Sequence, residues 1–168
     1  DAAVSGVDEC VAAPGTYHET INFLGKAITL RSSGGADVTT IDATGLNGSV
    51  VTCAGGEGPD TILESFTLTG GTGTDVGGVT FGGGMFNYYG SPTVLNCAFS
   101  GNRAHYGAGM FNQSNNPTVT NCEFGGNKGS YGGGMDNYYA TPVVTNCTFS
   151  DNIAAYEGGG MYSYGYAG

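Results

Sequence analysis

The sequence predicts an all-β fold in which short strands wind into a β-solenoid of stacked coils. Two observations predict it: the C-terminal half repeats with a period of 25 residues, and glycine supplies 33 of the 168 residues. The glycines follow no strict three-residue period, which excludes collagen, and a hydrophobic content of 39% is too high for a disordered chain. At this length we expect a single domain, residues 1–168.

The repeat begins at Met85 and recurs at Met110 and Met135, and an incomplete fourth unit starts at Met161. The third unit carries one extra residue, Glu157. Glycine, proline or asparagine occurs every few residues, and apolar residues alternate, which favours short strands and turns over helices. Each unit is therefore one coil, stacked on the next at a strand spacing of about 4.8 Å.

Residues 1–84 are less regular but compatible with the same architecture. Apolar runs alternate with turn signals such as Pro14-Gly15. The segment 70–84 is a few residues longer than its equivalents in the repeats, so we expect a protruding loop there. The whole chain would then form six to seven coils.

Residues that recur at one position of the repeat should lie above one another and form ladders. Apolar ones would fill a narrow core, and asparagines would pass side-chain hydrogen bonds from coil to coil. The predicted ladders are Asn96, Asn121 and Asn146; Asn102, Asn127 and Asn152; Cys97, Cys122 and Cys147; and Phe99, Phe124 and Phe149. The stacked cysteines could be buried thiols or contain one disulfide, since the strand spacing permits both.

Two motifs carry a resemblance to a known family. One is Phe-x-x-Asn, at Phe99, Phe124 and Phe149, and the other is Gly-Gly-Met, ending at Met85, Met135 and Met161. With them the chain resembles right-handed parallel β-helix repeat proteins of the pectate-lyase-like superfamily, especially bacterial surface proteins such as the chlamydial polymorphic outer membrane proteins. The resemblance implies a right-handed parallel β-helix and an extracellular or cell-surface location. It also implies an N-terminal capping helix, of which residues 1–6 look like the last turn.

Charge and hydropathy restrict the partners. The chain has 14 acidic and 4 basic residues and a formal net charge of −10, so it lacks the clustered cations that nucleic acid requires. No apolar run approaches the roughly 18 residues of a membrane span, so we expect no membrane insertion.

The sequence predicts no catalytic residue. Acids such as Glu123, Asp136 and Asp151 fall in different columns, so we expect solvated outer charges instead of a paired-carboxylate site. No metal ligands converge in the sequence, and we expect no cofactor; the one alternative is a calcium ion held by loop carbonyls near Asp60 or Asp75.

The candidate ligand-binding residues are Tyr88, Tyr89, Tyr138 and Tyr139. They occupy the same two columns two coils apart, with Gln113-Ser114 between them. Consecutive side chains on a strand cannot both point inward, so exposed rings are expected, and exposed rings can stack on sugars or on a protein partner.

Three functions remain open. The first is a secreted or cell-surface structural or adhesive module, able to stack head to tail into filaments through uncapped strand edges. The alternative is a carbohydrate-binding or carbohydrate-active protein, similar to the lyases and hydrolases of the superfamily. Ice binding is the third, although its regular threonine array is broken where Val143 follows Thr93 and Thr118.

Overall fold

The computed structural model describes residues 8–165, which wind into six coils. Each coil contributes one strand to each of three parallel, six-stranded sheets, which we call A, B and C. Coils of this kind form a parallel β-helix, so the predicted fold class and coil number are confirmed. The residues that resemble a capping helix lie outside the described part of the chain.

The strands are short and follow one another in chain order around the three sheets. Sheet A contains β1 (Glu9–Ala12), β4 (Thr29–Ser32), β7 (Ile62–Glu64), β12 (Thr93–Leu95), β15 (Thr118–Thr120) and β19 (Val143–Thr145). Sheet B contains β2 (Gly15–Tyr17), β5 (Thr39–Asp42), β8 (Thr67–Thr69), β13 (Ala98–Ser100), β16 (Glu123–Gly125) and β20 (Thr148–Ser150). Sheet C contains β3 (Ile21–Asn22), β6 (Val51–Cys53), β11 (Met85–Tyr88), β14 (Met110–Gln113), β18 (Met135–Tyr138) and β22 (Met161–Tyr164).

Smaller elements lie outside the three sheets. A 3-10 turn spans Ala36–Val38, and β17 (Lys128–Tyr131) pairs in parallel with β21 (Ile153–Glu157). Glu157 pairs with Tyr131 after a register shift, so an irregularity in this small sheet absorbs the extra residue of the third repeat. No helix among residues 8–165 is long and apolar enough to span a membrane.

The register repeats at 25 residues. Met85 pairs with Met110 and then Met135, and Phe99 pairs with Phe124 and then Phe149. The phenylalanine rings stack with centroids 4.6 and 4.7 Å apart, close to the strand spacing itself. Ring stacking and strand pairing thus have nearly the same spacing. A phenylalanine at this position can therefore stack on its neighbours in every coil without distorting the strand pairing.

Two asparagine columns serve different purposes. Asn96, Asn121 and Asn146 lie in exposed turns with φ of 53°, 54° and 51°, a left-handed conformation that asparagine tolerates better than most residues. Their side-chain amides are linked from coil to coil at 3.2 and 3.4 Å. The column of Asn102 and Asn127 lies inside, where Asn127 Oδ1 accepts both the backbone N–H and the side-chain N–H of Asn102.

A third asparagine ladder runs beneath sheet C. Asn87 Nδ2 donates to Asn112 Oδ1 at 2.8 Å, and Asn112 Nδ2 donates to Asn137 Oδ1 at 2.9 Å. All three side chains are buried, so each amide replaces a hydrogen bond to water by one to its neighbour.

The glycine corners are required by close backbone approach. Gly132 has φ of 56°, and a Cβ there would lie 2.4 Å from the Met135 carbonyl oxygen. A Cβ on Gly134 would lie 2.4 Å from the carbonyl oxygen of Gly160 in the next coil. Only glycine fits both positions without moving the backbone.

The segment predicted as a loop near residues 70–84 is instead built around an antiparallel β-hairpin. Strand β9 (Thr74–Val76) pairs with β10 (Val79–Phe81) across Gly77-Gly78, whose φ values are 66° and 89°. Two adjacent residues with positive φ match a type I′ turn, which suits the twist of paired strands. The hairpin projects beside sheet C and forms a wall of the site described below.

The cysteines among residues 8–165 are free thiols, and the stacked ones donate weak hydrogen bonds to backbone carbonyls. Burial raises the pKa of the Cys97 thiol to about 12 and also raises that of Cys122. Of the two states that the sequence left open, the structure therefore contains the buried-thiol ladder.

Candidate functional site: a tyrosine surface on sheet C

The outer face of sheet C carries a column of aromatic side chains. The strand register aligns Tyr88, Gln113, Tyr138 and Tyr164 in successive coils. Because side chains alternate along a strand, the buried Met and Asn columns point inward and this column points outward. Tyr88 and Tyr138 are each 37% exposed, and Tyr164 is 55% exposed.

The turn after each strand adds a second exposed ring. Tyr89, Ser114 and Tyr139 occupy the same left-handed position, with φ of 55°, 53° and 49°. Tyr89 lies edge-on to Tyr88, with centroids 4.5 Å apart, and Tyr139 lies edge-on to Tyr138 at 4.6 Å.

We call Tyr88, Tyr89, Tyr138, Tyr139 and Tyr164 the tyrosine surface. The structure brings together all four tyrosines predicted as ligand-binding residues on one face, as two matching pairs separated by one coil. Ligand binding by these four residues stays a prediction.

A cleft of about 410 Å³ opens beside the first pair, lined by Val76, Phe81, Phe86, Tyr88 and Gln113. This volume is within the range of small-molecule sites. The lining is mostly apolar and includes no charged side chain. The hairpin wall was not predicted, because residues 70–84 were interpreted as an irregular loop. Gly77-Gly78 between alternating apolar residues is a sequence pattern that indicates a β-hairpin.

Two aromatic ladders pack against each other on this face. Phe81, Tyr106, Tyr131 and Tyr156 stack with successive centroids 5.2 Å apart. This outer ladder packs on an inner one that contains Phe86 and Phe111, since the Phe81 and Phe111 rings are 4.9 Å apart. Ring stacking of this kind adds to the free energy gained by burial.

Asp136 interrupts the inner ladder. It pairs with Phe111 on one side and Tyr162 on the other, and its side chain is 1% exposed. Its Oδ2 atom has no hydrogen-bond partner, and burial raises the pKa of the carboxyl to about 7. The expectation that Asp136 is a solvated outer charge is therefore wrong, because the ladder of Tyr106 and Tyr131 covers this outward position.

Glu57 is a second buried acid that the sequence did not reveal. Its carboxylate accepts backbone N–H groups from Gly25 at 2.8 Å and Gly55 at 2.9 Å. These two glycines belong to loops of adjacent coils, so Glu57 joins the loops and has a structural role.

Metal ligation has little support in the geometry. Within residues 8–165 no group of three or more His, Cys, Asp or Glu side chains could hold a metal ion. Asp75, one of the two residues proposed for calcium, instead accepts the Gly78 N–H at the hairpin turn, at 3.2 Å.

A polar depression of about 380 Å³ contains the stacked cations Arg103 and Lys128, which pair across adjacent coils.

Comparison with known proteins establishes the family. The family model described as "right handed beta helix region" matches residues 20–167, so the chain belongs to the right-handed β-helix family. Neither the curated proteins nor the solved structures contain a significant match. The narrower likeness to chlamydial surface proteins stays a prediction.

Proposed function

We propose that this chain is an adhesive β-helix module of the cell exterior that binds surface glycans through its tyrosine surface. The observation that carries the proposal is the pair of matching tyrosine platforms, Tyr88-Tyr89 and Tyr138-Tyr139, presented on one face of a stacked scaffold. The extracellular or cell-surface location belongs to the same proposal and is supported by the family resemblance.

The chemistry of tyrosine suits this role. Its ring stacks on the C–H faces of a sugar, and its hydroxyl group donates or accepts a hydrogen bond. Both platforms are fixed by strand pairing and edge-on ring contacts, so little side-chain entropy is lost when a ligand binds. Two platforms on one scaffold also permit a long glycan to bind at both, which raises its apparent affinity.

A glycan array with the purified chain tests the proposal. We expect binding that is lost when Tyr88 and Tyr89 are both replaced by Ala, and when Tyr138 and Tyr139 are both replaced. Tyr156→Ala is the matched control, because Tyr156 is exposed but lies outside the tyrosine surface. Binding that survives both double substitutions would contradict the proposal, and release of shortened products would favour the carbohydrate-active alternative.

A specific observation favours a second function, end-to-end assembly. The last described coil exposes Val143 by 57% and Ile153 by 54%, and Met161 is exposed although its partner Met135 is fully buried. A second copy of the chain, stacked head to tail, would cover these apolar side chains.

Electron microscopy and sedimentation over a concentration series test assembly. We expect thin fibres that shorten or disappear when Val143 and Met161 are replaced by Lys, since each charge would be buried at the junction. A wild-type chain that sediments as a monomer at every concentration would remove this function and leave glycan binding unaffected.

A further inference from the structure

Gln113 leaves a gap in the tyrosine column of sheet C. Tyr88 precedes it by one coil and Tyr138 follows it by one coil, and Tyr164 continues the column. Ser114, beside it, likewise replaces the second tyrosine that each flanking coil carries. The gap is thus one coil deep and has the same aromatic pair on both sides.

The spacing of the coils would admit one ring between Tyr88 and Tyr138. Tyr88 and Tyr138 are two coils apart, which is about 10 Å at the usual strand spacing. Rings in adjacent coils of this column stack at 5.6 Å, as Tyr138 and Tyr164 do with planes 14° apart. A ring placed over Gln113 would therefore lie at stacking distance from both tyrosines.

We propose that the gap over Gln113 is a subsite for one pyranose ring of an uncharged glycan, held between the rings of Tyr88 and Tyr138. This inference rests on the proposed glycan-binding function and names where and how one sugar is held. The Gln113 amide both donates and accepts, which matches neighbouring hydroxyl groups on a sugar ring. The next sugar of the chain would enter the cleft beside Val76 and Phe81.

The surroundings favour an uncharged ligand. The cleft next to Gln113 is lined by no charged side chain, and the chain as a whole carries a net charge of −10. An acidic glycan would be repelled and would find no cation among the lining residues. Two aromatic faces with one amide between them instead suit a ring that is apolar on both faces and polar at its rim.

The subsite is tested by filling the gap with a tyrosine side chain. Gln113→Tyr places in this coil the residue that three neighbouring coils already carry in the same column, so we expect it to fold and to continue the ladder. Binding to the neutral glycan that the wild-type chain selects from the array, with cellotetraose and chitotetraose as first probes, is measured by titration calorimetry. We expect Gln113→Tyr to weaken binding by about ten-fold or more, and Tyr88→Ala and Tyr138→Ala to do so separately, each losing one stacking contact.

Tyr156→Ala is the matched control, because Tyr156 is exposed and lies outside the tyrosine surface; it should keep wild-type affinity. If Gln113→Tyr binds as tightly as the wild type, the subsite is wrong while glycan binding itself stands. A chain that selects only acidic glycans would also overturn the subsite alone. A chain that binds no glycan overturns both. If circular dichroism shows that Gln113→Tyr is misfolded, Tyr88→Ala and Tyr138→Ala decide the question. Wild-type affinity in either variant would refute a sugar ring held between these two tyrosines.

Discussion

Asp136 is expected to destabilise the protein increasingly as the pH rises towards neutrality. Its carboxyl group is buried between Phe111 and Tyr162, and burial raises its pKa from 3.8 to about 7. In the unfolded chain the group ionises near pH 4, so between about pH 4 and pH 7 unfolding releases a proton. The penalty is absent below pH 4, grows through this window and is constant above pH 7.

The magnitude follows from the change in pKa. At 1.36 kcal/mol per pH unit, the free energy of unfolding should be lowered by about 4 kcal/mol at pH 7. That figure is an upper value, because a solenoid can open its last coils without unfolding the rest. Asp136→Asn keeps the shape of the side chain but removes the titration, so it should restore most of this stability at neutral pH and little at pH 4.

The assay is thermal unfolding of both proteins from pH 4 to pH 8, combined with hydrogen exchange of β18 and β22. The groups that face Asp136 across the packing are Tyr131 and Tyr162, with Glu157 next to Tyr162; none is cationic, so none offsets the charge. Asp60→Asn, at an exposed acid, is the control and should show no such pH dependence. A stability difference between wild type and Asp136→Asn that does not change with pH would refute the reasoning.

Three further outcomes are expected. Glu57→Ala leaves the N–H groups of Gly25 and Gly55 without their acceptor, so it should lower the free energy of unfolding by about 2 kcal/mol, measured by urea denaturation. An unchanged urea midpoint would mean that water replaces the carboxylate. Phe124→Ala removes a buried ring between Phe99 and Phe149 and should cost about 3–5 kcal/mol by the same measurement; a loss below 1 kcal/mol would show that the ladder collapses into the space. In the native protein a thiol reagent should modify the exposed Cys10 at once and the buried Cys53, Cys97 and Cys122 only on unfolding, with the half-buried Cys147 between them. Rapid modification of Cys53, Cys97 or Cys122 would contradict their burial.

The repeat made the fold predictable, because one position of a solenoid sees the same surroundings in every coil. Phe99, Phe124 and Phe149 share the core, and Asn96, Asn121 and Asn146 share a left-handed turn, so recurrence alone identified both columns. The tyrosine pairs were found in the same way, since two consecutive aromatic residues cannot both be buried in a strand.

Positions that depart from the repeat were not predictable. Asp136 replaces a phenylalanine at an outward position, and the sequence does not reveal that a second layer of rings covers that position. Glu57 lies in the irregular half, and its two hydrogen bonds join loops that are distant in the sequence. The hairpin wall of the cleft depends on the conformation of Gly77 and Gly78, which the repeat does not contain.

The constant 25-residue register also makes the coil a unit that can be gained or lost whole. Removing residues 110–134 would join two coils whose columns already match, shortening the rod by about one strand spacing without disturbing the core. The same deletion would bring Tyr88 and Tyr138 into adjacent coils and eliminate the gap between them. In-frame duplication or loss of a single unit would thus change the length of the stack and the spacing of its tyrosine surface in one genetic step.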